Sequence, residues 1–288
     1  MMTIWPAPAK LNLFMYITGR RLDGYHNLQT LFQFIDYSDL IEIKVNDSGH
    51  INLITKLIDI PKENNLIVKA AKLLKLAAKK YLLINSGATI SIRKKLPIGS
   101  GLGSGSSNAA TILVALNYLW KTKFTINQLA ELGLQLGADV PLFIHGYSAF
   151  AEGVGEKLRR VNIKQKWYLI TYPNININTS DIFSSNNLTR NTKYCNMNQL
   201  LKLPFTNDCE NLVRSNFVEI DSIISSLSRY APTRLTGTGS CVFSECNNKQ
   251  DAYDLMKLIP KYAVGFIAKG INMSPLHTVL SRIIHTTS

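Results

Sequence analysis

Pro97-Ile98-Gly99-Ser100-Gly101-Leu102-Gly103-Ser104-Gly105-Ser106-Ser107-Asn108-Ala109-Ala110 is the stretch that decides how this chain is read. Gly99, Gly101, Gly103 and Gly105 let the backbone turn its amides inward and admit a bulky anion close to the main chain. Ser104, Ser106, Ser107 and Asn108 add side-chain donors or a helix cap. Ala109, Ile112, Leu113, Leu116, Leu119 and Trp120 then recur at helical spacing. The amino end of that helix points free N–H groups and a partial positive charge at the loop, and the segment reads as a holder of phosphate. The alternative is a flexible Gly/Ser linker, but linkers seldom sit between an alternating strand (88–93) and an amphipathic helix.

Two better-known phosphate loops fail on spacing. The P-loop needs Gly-Lys-Ser/Thr after its first glycine, and no lysine lies between Pro97 and Asn108. The dinucleotide fingerprint G-x-G-x-x-G fails because Ser104 and Ser106 stand where its last glycine belongs.

The totals narrow the class. A chain of 288 residues, 46% hydrophobic, suits one large or two smaller globular domains, and it holds no apolar run long enough to cross a bilayer. The first ten residues lack the apolar core of a secretion signal. Cys195, Cys209, Cys241 and Cys246 form no C-x-x-C pair and the histidines no H-E-x-x-H, so a reduced, cytoplasmic setting without a structural metal is expected. The net charge of +13 admits nucleic acid, anionic membrane or phosphorylated substrates as partners. Its densest group, Lys69, Lys72, Lys75, Lys79 and Lys80, falls mostly on the polar side of a helix and reads as a solvated face.

Taken in order, residues 9–17 read as a strand with Lys10 and Asn12 on one face and Leu11, Leu13 and Met15 on the other. A turn-rich loop presents Tyr25 beside His26. Strands follow at 31–36, 40–45 and 51–54, the last two joined by a hairpin turn at 46–49. Asn64 or Asn65 caps a helix over 66–81, and Thr125 with Gln128 opens another over 126–136. Asp139 stands where a cap would, ahead of Val140-Pro141. The second half reads as strands at 167–172 and 264–269, helices at 208–217, 218–227 and 249–258, a polar loop over 174–198 with a helical turn near 181–183, and a second glycine turn, Leu235-Thr236-Gly237-Thr238-Gly239-Ser240. Periodicity by itself yields α+β content and no internal repeat.

Pro8-Ala9-Lys10-Leu11-Asn12-Leu13, the glycine stretch and Leu235 to Ser240, in that order, resemble the three motifs of the GHMP small-molecule kinases, and the match runs over nearly the whole chain. Asp23-Gly24-Tyr25-His26, Gly137-Ala138-Asp139-Val140-Pro141 and Asn207-Asp208-Cys209-Glu210 narrow the resemblance to the branch acting on 4-diphosphocytidyl-2-C-methyl-D-erythritol, a cytidine diphosphate ester phosphorylated on its 2-hydroxyl. Kinases for mevalonate or homoserine are the neighbouring alternatives. Ser104 departs from the pattern, which has glycine there. Serine tolerates a left-handed backbone poorly, so that position is expected to be shaped a little differently.

The resemblance implies an α+β, two-domain fold, residues 1–155 and 156–288, with the active cleft between them. It implies Asp139 as the base for the substrate hydroxyl and Lys10 beside it, keeping the carboxylate ionised and favouring the developing charge. Pro97 through Asn108 would wrap the phosphates of ATP, with Lys94, Asn65 and Leu66 around the nucleotide. Asn12 would position the substrate, Tyr25 and Phe183 would enclose the cytosine, His26 would bond its edge, and Phe32 and Thr179 would line the same site. Mg²⁺ is implied with ATP, held mainly by phosphate and water. The implied partner is a small molecule rather than nucleic acid or membrane, in a monomer or homodimer. A basic nucleic-acid binder, the other reading of the charge, leaves the loop, Lys10 and Asp139 without purpose.

Overall fold

The computed structural model describes residues 2–55, 61, 64–80 and 85–287. Two long antiparallel strands, β1 (Met2–Arg20) and β2 (His26–Asn46), are its spine. The two strands read at 31–36 and 40–45 belong to one, because the polar residues between them keep pairing: Ser38 lies opposite Pro8 and Asp39 opposite Ala7. The break in apolar pattern there marks a buried carboxylate, Asp39, and not a turn.

The hairpin expected at 46–49 does not form. β3 (Ile51–Leu53) pairs in parallel with β4 (Gly87–Arg93), and β4 takes the edge of β2 that a hairpin would have used. Parallel pairing needs a crossover, and α1 (Leu66–Ala77) supplies it. Asn65 caps α1 by accepting the Ile67 N–H, while Lys69, Lys72, Lys79 and Lys80 are exposed, as a solvated face should be. The helix was expected to run to Tyr81; it ends at Ala77, and Tyr81 lies outside the described residues.

α2 (Ser104–Leu119), α3 (Ile126–Leu134) and α4 (Val140–His145) complete the helical layer, which α2 seats on β1 and β2. Thr125 and Gln128 form the reciprocal capping box at the start of α3. β5 (Ala149–Gly153) pairs with β2 and with β6 (Lys157–Arg160), a strand the sequence reading missed. The second half builds β7 (Trp167–Tyr172), β8 (Thr233–Leu235), β9 (Val242–Cys246) and β10 (Val264–Ile271) in the order β10-β7-β9-β8. Its helices are α5 (Thr179–Ser184), α6 (Met197–Leu200), α7 (Glu210–Asn216), α8 (Val218–Leu227) and α9 (Lys249–Met256).

The two halves are not independent bodies. β10 also pairs with β2 at Phe34 and Ile35. The final helix, α10 (Pro275–Thr287), which the sequence reading did not include, returns to the first half and buries Leu276 in its core. A third apolar cluster joins Leu11, Phe14 and Leu31 from the spine to Tyr168, Ile170 and Phe243 from the second half. Among the described residues no helix is long and apolar enough to cross a membrane.

Candidate active site

The spine strand β1 is irregular where it matters. Its register with β2 shifts between Pro8 and Lys10 and again between Asn12 and Met15. Bulges of this kind re-aim side chains. Lys10 and Asn12 share a face, as alternation predicts, and Leu11 and Leu13 pack in the third cluster. The second shift moves Met15 off the face expected for it: it lines the cleft with Asn12, whose amide lies 3.9 Å from the Met15 sulfur.

That cleft, about 560 Å³, opens between the glycine loop, the spine, the start of α4 and α5. On one side the Lys10 ammonium, 3% exposed as a residue, lies 3.3 Å from the Asp139 carboxylate. It also donates to Asn12 Oδ1 at 2.5 Å and sits 5.3 Å from the centre of the Phe32 ring. Asp139 makes no cap to α4, so the duller reading of this residue falls away. Its carboxylate is held near the cation instead, and it is the one acidic side chain among the residues lining the cleft.

The loop owes its path to three left-handed glycines, Gly99, Gly101 and Gly103, at φ 63°, 77° and 75°. Gly103 ends the loop as the residue before α2, and it gives that helix no side-chain cap. The first amides of a sixteen-residue helix therefore open on the cleft without a capping side chain. The Ser107 hydroxyl and Asn108 Oδ1 are buried there with no partner. The free N–H groups of that uncapped amino end are the donors that phosphate oxygens need, whereas Asn108 Oδ1 is an acceptor and would take a donor instead. Leu102, like Ser107, does not line the cleft as expected: its side chain anchors the loop in the third cluster, and its carbonyl accepts the Lys10 backbone N–H at 3.0 Å.

Ser104 causes no strain. It is the first residue of α2 and is absent from the positive-φ positions, so the left-handed geometry expected there falls one residue earlier, on Gly103. Its hydroxyl donates to Asp39 Oδ2 at 3.1 Å and accepts from Lys94. Asp39, fully buried, also takes the Lys94 ammonium at 2.5 Å and the Lys95 and Leu96 N–H groups at 2.7 and 2.9 Å. Burial lowers the pKa of Lys94 and Asp39 opposes that shift. Asp39 was missed from sequence because a polar residue in a strand-like run gives no signal of its burial.

The second glycine turn closes the floor. Thr236 Oγ1 accepts the Asn12 backbone N–H at 2.9 Å, and Asn207 donates to the carbonyls of Leu235 and Gly237 at 3.0 and 2.8 Å. Asp208 accepts the Ile17 N–H at 2.6 Å, and Glu210 the Leu235 N–H at 2.9 Å. The Asn207-Asp208-Cys209-Glu210 motif is thus a bracket tying β1 to the second glycine turn.

Of the residues expected at the site, all line the cleft except Leu102, Ser107, Tyr25 and His26. Ser107 faces inward from α2. Tyr25 is 61% exposed. His26 stacks on Phe183, a residue of the cleft lining, with centroids 5.1 Å apart and planes at 27°. Thr179 lines the same wall and shares a hydrogen bond of 3.0 Å with Thr238. Arg190, also unforeseen, donates to His26 Nε2 at 3.0 Å.

A glycine loop over an uncapped helix, facing a lysine–aspartate couple across one cleft, is the apparatus of phosphoryl transfer to a small acceptor. Family models agree: that of the GHMP kinases N terminal domain matches residues 65–147 and that of the GHMP kinases C terminal matches 186–259, together more than half of the chain. The chain belongs to the GHMP kinase family and is a phosphotransferase. Among solved structures it is similar to a 4-(cytidine 5'-diphospho)-2C-methyl-D-erythritol kinase, at 26% identity and TM-score 0.81 over 93% of this chain and 99% of that one. It shares its fold with a mevalonate kinase of Methanococcus jannaschii, at 21% identity and TM-score 0.65 over 94% and 98% of the two chains. The same holds for a homoserine kinase of Cytophaga hutchinsonii, at 16% identity and TM-score 0.66 over 94% of each.

Proposed function

We propose that this kinase transfers the γ-phosphate of ATP to the 2-hydroxyl of 4-diphosphocytidyl-2-C-methyl-D-erythritol. The observation that carries the chemistry is the 3.3 Å approach of Lys10 to Asp139 at the cleft lined by the amino end of α2. Asp139 takes the proton of the acceptor hydroxyl as its oxygen bonds to the γ-phosphorus, and the bond to the bridging oxygen of ADP breaks. Lys10 offsets the negative charge that gathers on the transferring oxygens, and Asn12 fixes the direction of its ammonium. The loop amides, Ser106 and Asn108 hold the triphosphate, with Asn65, Leu66 and Lys94 toward the nucleoside. Mg²⁺ bound with ATP would neutralise phosphate charge, and Asp139, the one carboxylate among the cleft lining, would be the protein group to help hold it.

For the acceptor, support comes from the aromatic wall of Phe183 and Phe32 beside Thr179, a surface for a flat base that a small aliphatic alcohol has no use for. The full-length similarity to the cytidyl-methylerythritol kinase adds to it. The deciding experiment gives purified protein Mg-ATP with the cytidyl methylerythritol, mevalonate and homoserine in parallel. ADP release with the first alone is the expected result; turnover of either other alcohol in its place refutes the substrate assignment.

A further inference from the structure

One guanidinium gathers the substrate end of the cleft. Arg190 donates through Nη2 to the carbonyls of Phe183 at 2.9 Å and Ser185 at 2.6 Å, and through Nη1 to that of Leu188 at 3.2 Å. Its Nε donates to His26 Nε2 at 3.0 Å. Arginine has donors only and keeps its charge at any physiological pH, so the imidazole nitrogen it meets must be the unprotonated one. The His26 proton therefore resides on Nδ1. The ring so fixed stacks on Phe183, which itself lines the cleft.

We propose that Arg190 is the positioning residue of the base-binding wall: it locks His26 in the Nδ1–H tautomer and ties that ring, together with the end of α5, against Phe183. The proposal rests on the reading that the cleft takes a cytidine-bearing alcohol. Its consequence is a stacking surface that keeps its attitude through the range where a free imidazole gains charge. An imidazolium there would set N–H against N–H at the Arg190 contact and lose the bond that holds the ring. The charged groups acting on the ring are Arg190 and Arg20, the partner of His26 across β1 and β2, and they add to burial in lowering its pKa.

The test is ¹⁵N NMR of histidine-labelled protein, with the His26 signal assigned by its loss in His26→Gln. In the parent protein Nε2 should carry the shift of an unprotonated nitrogen, with titration well below about pH 6.5. In Arg190→Met the midpoint should rise toward that ordinary value. KM for the cytidyl alcohol should then rise roughly tenfold between about pH 7.5 and 6, while KM for ATP stays flat. Arg190→Lys, which keeps the charge and loses the fork of donors, should hold the midpoint nearer the parent. A proton on Nε2 in the parent, or equal midpoints in parent and Arg190→Met, overturns the proposal, and the parent spectrum decides this even if Arg190→Met does not fold. KM values for ATP and alcohol that rise together overturn it as well. No turnover of the cytidyl alcohol by the parent protein overturns the substrate reading instead, a separate outcome from the tautomer.

Discussion

Gly101 and Thr236 lie against each other so tightly that a β-carbon at residue 101 would stand 2.2 Å from the Thr236 carbonyl oxygen and 3.0 Å from that of Gly239. The phosphate loop is thereby keyed into the second glycine turn, backbone on backbone, across the two halves of the chain. Thr236 in turn holds Asn12 beside Lys10, so the loop and the reacting pair share one support.

Gly101→Ala should break that key. The left-handed φ of 77° alone costs an alanine about 1–2 kcal/mol, and neither carbonyl can retreat without moving its turn. Tm should fall by roughly 2–8 °C, and KM for ATP should rise by at least about tenfold, on the order of 1.4 kcal/mol. Differential scanning calorimetry and steady-state kinetics read the two effects. An alanine variant with parental Tm and KM would mean that the loop does not need this contact.

Asp139→Asn tests the chemistry. The side chain caps nothing and is partly exposed, but the change leaves the buried Lys10 ammonium without its carboxylate, so the variant should fold with reduced stability and still bind ATP, while kcat drops by roughly 10²–10⁴, the range for losing a positioned base. Nucleotide titration followed by single-turnover phosphorylation separates binding from transfer. A kcat within a few fold of the parent would remove Asp139 from proton transfer.

How far the sequence alone reaches is seen by comparing Lys10 with Asp39. Lys10 and Asp139 are legible because each is odd in its local setting, a cation in an apolar strand and an acid at a helix end, and each explains the other. The glycine loop is legible because its spacing has a mechanical reason at each left-handed position. Asp39 and Arg190 are not, since their meaning lies wholly in partners distant along the chain: Asp39 in Lys94 and Ser104, Arg190 in His26. The parallel pairing of β3 with β4 escaped for a related reason. The polar turn at 46–49 suits a hairpin, and only the crossover through α1 decides otherwise. The stacking of His26 on Phe183 is likewise absent from any local pattern, since the two residues lie far apart along the chain.

Asp39 supplies a stability test. Asp39→Asn leaves the Lys94 ammonium without a carboxylate and weakens the acceptance of two backbone N–H groups. A sealed pair broken this way loses about 3–5 kcal/mol. Lys94 opens on the cleft, its side chain 19% exposed, so the loss should fall toward the lower end. Ser104→Ala, which removes one neutral hydroxyl from the same cluster, should cost only about 0.5–1.5 kcal/mol. Urea unfolding of both variants checks the order; Ser104→Ala proving the more damaging would show that the hydroxyl, not the charge, holds the loop to β2.

Acid should destabilise the protein through its histidines before its carboxylates. Burial leads in lowering the pKa of His26, His145 and His277, with Arg190 and Arg20 adding at His26, and His145 adding at His277 against the hydrogen bond to Ile144. As pH falls below about 6.5 the unfolded chain takes up protons on these rings that the folded chain refuses. Stability is therefore lost on acidification. At Glu245 burial works upward, and Arg234 and Lys166 outweigh it, so its contribution is lost in the same direction but in the lower carboxylate range. Asp208, raised by burial, runs the opposite way, gaining stability as it is protonated. Between about pH 7.5 and 5.5 the histidines should dominate, and Tm should decline across that window. His277 is the ring to vary, since its Nε2 lies 2.8 Å from the Ile144 carbonyl at the end of α4, far from the substrate wall. His277→Gln keeps a donor for that carbonyl and removes the titrating group. Its Tm should start lower from imperfect packing yet fall less steeply with acid. A slope unchanged from the parent would shift the acid sensitivity onto His26 and His145, and a parent Tm that holds level or rises across the window would show that the folded chain accepts those protons as readily as the unfolded one.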